Sequence, residues 1–151
     1  QDENQAEMLL EEMNDGATIA MAKRMTAKER SEVDRLMKAN VIKRCLCTKI
    51  YVQGVTFSDV RVLLNLEAGG NNTSAIQKPG RLAEIRPGKK CGIVIDIMFT
   101  KPEGAKATGK TPWYALCIDS INRKRAYEEK GYDIYEVDTI NQLKETFDRI
   151  R

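Results

Sequence analysis

The hydrophobic positions of this chain change period repeatedly, from helical spacing to short continuous apolar runs and back. Ala6, Leu9, Leu10 and Met13 recur at helical spacing, which predicts an amphipathic helix over 3–14, stopped by Asn14-Asp15-Gly16. The apolar run 17–21 then reads as a strand. Thr26-Ala-Lys-Glu29 has the spacing of a capping box, in which the threonine oxygen accepts from the Glu29 N–H while the Glu29 side chain reaches back. Behind it Val33, Leu36 and Met37 form one apolar face, giving a helix to about Ala39, with Asn40 ending it. Residues 41–47 and 60–66 are nearly continuous apolar runs, the pattern of strands covered on both faces.

Gly69-Gly70-Asn71-Asn72 marks a turn, after which Thr73 or Ser74 can cap a helix running through Gln77-Lys-Pro-Gly-Arg81. Pro79 falls inside that helix and predicts a kink or a short first turn. Residues 92–99 read as a fourth strand, and residues 100–112 have the composition of a flexible loop. A helix is predicted over 113–130, with Gly131 just past its end, then a fifth strand over Tyr132–Val137. Ile140, Leu143, Phe147 and Ile150 mark a final amphipathic helix capped by Asp138 or Thr139. Strands alternating with helices predict one α/β domain with a mainly parallel sheet. Ligands on such sheets bind at the carboxyl ends of the strands. Two polar, glycine-bearing clusters fall there, Thr48–Phe57 around Gly54 and Gln77–Arg81.

Composition narrows the picture. The 151 residues are 42% apolar and 31% charged, ordinary for one globular domain. The net charge of +3 makes no global field that commits the chain to nucleic acid, but its distribution is uneven. Residues 1–22 carry six acids and no base. Residues 78–90 hold five basic side chains (Lys78, Arg81, Arg86, Lys89 and Lys90) against one acid, Glu84, a balance that suits phosphate. Four cysteines (Cys45, Cys47, Cys91 and Cys117) lack metal-ligand spacing and there is no histidine, so a metal site is not expected. In their apolar settings they read as buried, reduced thiols of a cytoplasmic protein. No signal peptide is read at the start, and no apolar run approaches the ~18 residues of a membrane span.

Thr48-x5-Gly54-x-Thr56, an apolar strand, and then Gln77-x-x-Gly80-Arg81 resemble motif V followed by motif VI in the second RecA-like domain of superfamily 2 helicases. The helix at 3–14, the strand at 17–21 and the helix bearing Arg30 resemble the usual run-up to motif V. The strand at 92–97 and the segment 123–137 resemble the end of that domain in phage-type members. The resemblance implies a RecA-like three-layer sandwich with a mainly parallel sheet. It also implies that the strand normally preceding the first helix is missing, which would leave an exposed edge prone to pairing.

The same resemblance implies a function. The chain would be the C-terminal half of an ATP-dependent helicase or translocase, not active alone. ATP and Mg²⁺ would be held mainly by an N-terminal RecA-like domain. Arg81 would be the arginine that meets the γ-phosphate, where positive charge stabilises the transferring phosphoryl group. Gln77 would help order the motif and Gly80 would allow close approach. Gly54 and Thr56 would join them on the nucleotide side, with Arg86 as a substitute for the family's second arginine. Thr48, Lys23 and Arg24 would meet the nucleic-acid backbone, DNA rather than RNA, through contacts that carry no base information. One departure stands out: Glu84 occupies the place of that second arginine. A degenerate, non-catalytic RecA-like module that binds nucleic acid or a protein is therefore the alternative.

Two other features are weighed against blander readings. Gly104-Ala-Lys-Ala-Thr-Gly109-Lys110-Thr111 satisfies the P-loop pattern by letter, but Pro112 follows it and no acidic strand end comes after. It is read as a basic loop. Trp113 and the tyrosines Tyr114, Tyr127, Tyr132 and Tyr135 are read as core or half-buried residues rather than base-stacking platforms.

Overall fold

Local chemistry decides where the helices begin and end. A computed structural model of the chain describes residues 2–13, 16, 18–21, 26–47, 60–66, 72–80, 82, 87–105 and 112–150. In order these form α1 (Asp2–Met13), β1 (Thr18–Met21), α2 (Ala27–Lys38), β2 (Arg44–Cys47), β3 (Val62–Asn65), α3 (Asn72–Gly80), β4 (Ile93–Asp96), α4 (Pro112–Glu129) and α5 (Ile140–Ile150). At the start of α2 the Thr26 N–H donates to Glu29 Oε2 at 2.6 Å and the Glu29 N–H donates to Thr26 Oγ1 at 3.3 Å, completing the capping box. Ion pairs Arg35–Glu32 and Lys38–Asp34 line its exposed face at helical spacing. Its other end closes as a Schellman motif. Asn40 takes a left-handed φ of 57°. The Asn40 N–H then donates to the Met37 carbonyl and the Val41 N–H to the Leu36 carbonyl, each at 3.0 Å.

The same device ends α4. Gly131, at φ 70°, donates to the Glu128 carbonyl, and Tyr132 donates to the Tyr127 carbonyl. The Tyr127 and Tyr132 rings lie 6.3 Å apart across this cap, the apolar contact that such a motif favours. At α5 the structure chooses Thr139 over Asp138 as the cap. The Gln142 N–H donates to Thr139 Oγ1 at 3.2 Å, while Gln142 Oε1 accepts from the Thr139 and Asp138 N–H groups.

The strands pair in parallel, β1 with β2 and β3 with β4. Register runs from Thr18 against Arg44 in the first pair, where Arg44 Nε donates to Thr18 Oγ1 at 3.1 Å. In the second it ends on Asn65 against Asp96. Packing divides the chain into two units, Gln1–Leu66 with Gln77–Asp96, and Glu67–Ile76 with Ile97–Arg151. In the first unit α1 lies along the β1–β2 pair, and Val33 and Leu82 are buried. In the second, α4 buries Cys117, Ala126 and Tyr127. There Ser120 Oγ accepts from the Phe99 N–H at 2.9 Å, and the buried Arg123 donates to the Ile97 carbonyl at 3.0 Å.

Several expectations are corrected. Residues 132–137 form no strand; they leave the cap of α4 with Tyr132, Ile134 and Tyr135 partly exposed, held by the Lys124–Glu136 ion pair. Aromatic and branched residues favour a strand only where a neighbour offers a pleated surface to fit, and these residues pair with none. The strand at 60–66 is not covered on both faces, since Val62 and Leu64 are 41% and 54% exposed. Pro79 does fall inside α3, as its next-to-last residue. The cysteines are not uniformly buried either, because Cys91 is exposed and Cys45 half-buried. Among the described residues no helix is long and apolar enough to cross a membrane.

Candidate functional site

The carboxyl ends of β3 and β4 carry polar residues set within longer apolar runs. Val62-Leu-Leu-Asn65 ends on an amide and Ile93-Val-Ile-Asp96 ends on a carboxylate, side by side in register. Asn65 is 4% exposed and its Nδ2 donates to Asp96 Oδ1 at 3.0 Å. On its other side Asn65 Oδ1 accepts from Lys78 Nζ at 2.7 Å. This chemistry fixes the amide orientation: reversed, its NH₂ would face an ammonium and its oxygen a carboxylate. The buried amide thus joins a cation on α3 to an anion at the end of β4.

Lys78 belongs to the segment that the sequence singles out. Gln77 and Gly80 flank it at the end of α3, both exposed, and a Cβ added at Gly80 would meet none of the described residues within 4 Å. Beyond α3 the chain is pinned again, because Leu82 is 3% exposed and its N–H donates to the Pro79 carbonyl at 2.9 Å. Gly92, just before β4, lies so close that a Cβ there would sit 2.5 Å from Leu82 Cβ. Lys78 and Leu82, three residues before and one after position 81, are therefore both anchored. Thr48, Gly54, Thr56, Lys23, Arg24, Arg81 and Arg86 themselves lie outside the described residues.

The basic run proves less uniform than its letters. Lys78 is half-buried in the Asn65 bridge, Lys89 is 6% exposed, and Lys90 faces solvent. Its cations are not all available to a ligand. Among the described residues no group of histidine, cysteine or acidic side chains could hold a metal ion. The P-loop look-alike lacks its frame, since β4 ends at Asp96 and a turn between Pro102 and Ala105 intervenes before the pattern is complete.

Residues 1–86 match the helicase conserved C-terminal domain. The chain belongs to that family. Its fold is RecA-like, and β3 and α3 lie within the matched residues. A helicase C-terminal domain is the C-terminal part of an ATP-dependent, nucleotide-binding enzyme that acts on nucleic acid with an N-terminal partner domain. A search of curated proteins gives no match to the chain. The match ends at residue 86, so β4, which supplies Asp96, lies beyond it. Sequence reasoning overlooked Asn65 and Asp96. Their signal was a polar residue interrupting each of two apolar runs, but only the register shows that they meet.

Proposed function

We propose that this helicase C-terminal domain supplies motif V and motif VI to an ATP site shared with an N-terminal RecA-like domain. Arg81 would face the γ-phosphate, and Gln77 and Gly80 would shape its approach. Gly54, Thr56 and Arg86 complete this side of the cleft, and Thr48, Lys23 and Arg24 meet the nucleic-acid backbone. ATP and Mg²⁺ would be held mainly by the other domain. A superfamily 2 enzyme of phage type acting on DNA is the specific form of this reading.

The observation that carries the proposal is the position of the Gln77–Gly80 segment. It ends a helix that Lys78 ties to the carboxyl edge of a parallel strand pair, where α/β folds bind ligands. An arginine acting on the transferring phosphoryl group contributes in the transition state rather than to ground-state binding. Arg81→Ala in the full-length helicase is therefore expected to lower kcat for ATP by about 10³-fold or more with little change in KM. An unchanged kcat would remove Arg81 from the mechanism and favour the degenerate, non-catalytic module, a reading that Glu84 in motif VI supports.

A further inference from the structure

We infer that Asn65, Asp96 and Lys78 form a positioning relay that fixes the last turn of α3, which precedes Arg81 in the chain, to the sheet. The inference rests on the assignment of Arg81 proposed above. Three observations carry it. Asn65 and Asp96 are register partners at the last position of their strands, so their backbones are set by the ladder rather than by a loop. The Asn65 amide is buried and engaged on both sides, by Asp96 at 3.0 Å and by Lys78 at 2.7 Å. Lys78 lies in the last turn of α3, three residues before position 81.

A lysine stem is flexible, and a free ammonium would not fix a helix. Here its charge meets the oxygen of an amide that cannot turn over without setting like partners together. A bond to a charged group is stronger than a neutral one. A buried, satisfied chain of such bonds also specifies one arrangement. Leu82 against Gly92 provides a second, apolar anchor beyond position 81. The consequence is directional: displacing the amide moves the segment that carries Arg81, while groups that bind ATP from the other domain stay where they are. These three residues are positioning residues; none is assigned a contact with nucleotide.

The test exchanges donor and acceptor within the pair, in the full-length helicase. Asn65→Asp alone places a carboxylate against Asp96 and should lower kcat about tenfold or more, with KM for ATP within about twofold. Combining it with Asp96→Asn restores the pattern: the new carboxylate accepts from Lys78 and the new amide donates to it. The double variant should recover to within about threefold of wild type. Circular dichroism at the assay temperature reports the folded fraction of each variant. A kcat loss that merely follows unfolding, a double variant no better than the single, or an Asn65→Asp enzyme with wild-type kcat would each overturn the relay. Arg81→Ala, run alongside, separates the two ideas. If it abolishes turnover while Asn65→Asp does not, only the relay fails; if it leaves turnover intact, the underlying assignment fails first.

Discussion

Adding one methyl group at Gly92 should unfold this chain more easily, although glycine-to-alanine changes often do the reverse. The backbone at Gly92 is outside the left-handed region, so alanine is allowed by its φ. In open space it would be expected to stabilise by about 0.4–1 kcal/mol, through a less disordered unfolded chain. The space is not open. The new Cβ would lie 2.5 Å from Leu82 Cβ and 2.8 Å from the Leu82 carbonyl oxygen. Carbon atoms pack best at about 3.5–4.0 Å, so the two segments must separate by roughly 1 Å or more. No rotamer change relieves this, because the opposing atoms are backbone and Cβ of a residue only 3% exposed. Overpacking of this kind costs about 1–3 kcal/mol. At roughly 2–4 °C per kcal/mol for a chain of this size, the Tm should fall by roughly 2–12 °C. Thermal unfolding of residues 1–151 followed by far-ultraviolet circular dichroism measures it. A Gly92→Ala variant as stable as wild type, or more so, would refute the close approach of Gly92 to Leu82.

Two further expectations concern the caps and the buried arginine. Accepting from the Thr26 backbone N–H, and then from its hydroxyl, holds the Glu29 carboxyl below the ordinary glutamate range. The stability this gives is present above the ordinary value of about 4.3 and lost as pH falls through the lower folded value. Glu29→Gln keeps an acceptor but does not titrate, so its Tm should drop less than wild type from about pH 6 to about pH 3; equal slopes would refute the linkage. Arg123→Met should destabilise the chain by about 1–3 kcal/mol, since it leaves the Ile97 carbonyl without that donor. Urea unfolding checks this, and an unshifted midpoint would show that Arg123 contributes nothing net.

Helices were the most legible part of the chain because their signals are local. Thr26 and Glu29 stand three residues apart, as do Thr139 and Gln142, and Asn40 and Gly131 mark their ends directly. The strands were legible as apolar runs, yet the run at 132–137 carries the same letters and forms no ladder. Pairing depends on what lies opposite, and that is not written in the run itself. The candidate site divides the same way. Gln77, Gly80 and Arg81 were readable as a motif, whereas Asn65 and Asp96 are 31 residues apart and meet only through parallel register. The Gly92–Leu82 approach had no signal at all, because a glycine that must be small looks like one that must bend.

The two caps on α2 also bear on how quickly the chain can assemble. Parallel pairing must close long loops, 26 residues from Thr18 to Arg44 and 31 from Asn65 to Asp96. Counted as free chain, these lengths differ by only roughly 0.2 kcal/mol in closure entropy. What fills them differs more. The first loop contains α2, twelve residues closed by a capping box at one end and a Schellman turn at the other. The second contains α3, nine residues with a proline near its end. A helix that forms locally turns part of a floppy loop into a short rod before the strands meet, leaving fewer torsions to search. By that measure the β1–β2 pair has the smaller conformational search, and the edge that bears the relay has the larger.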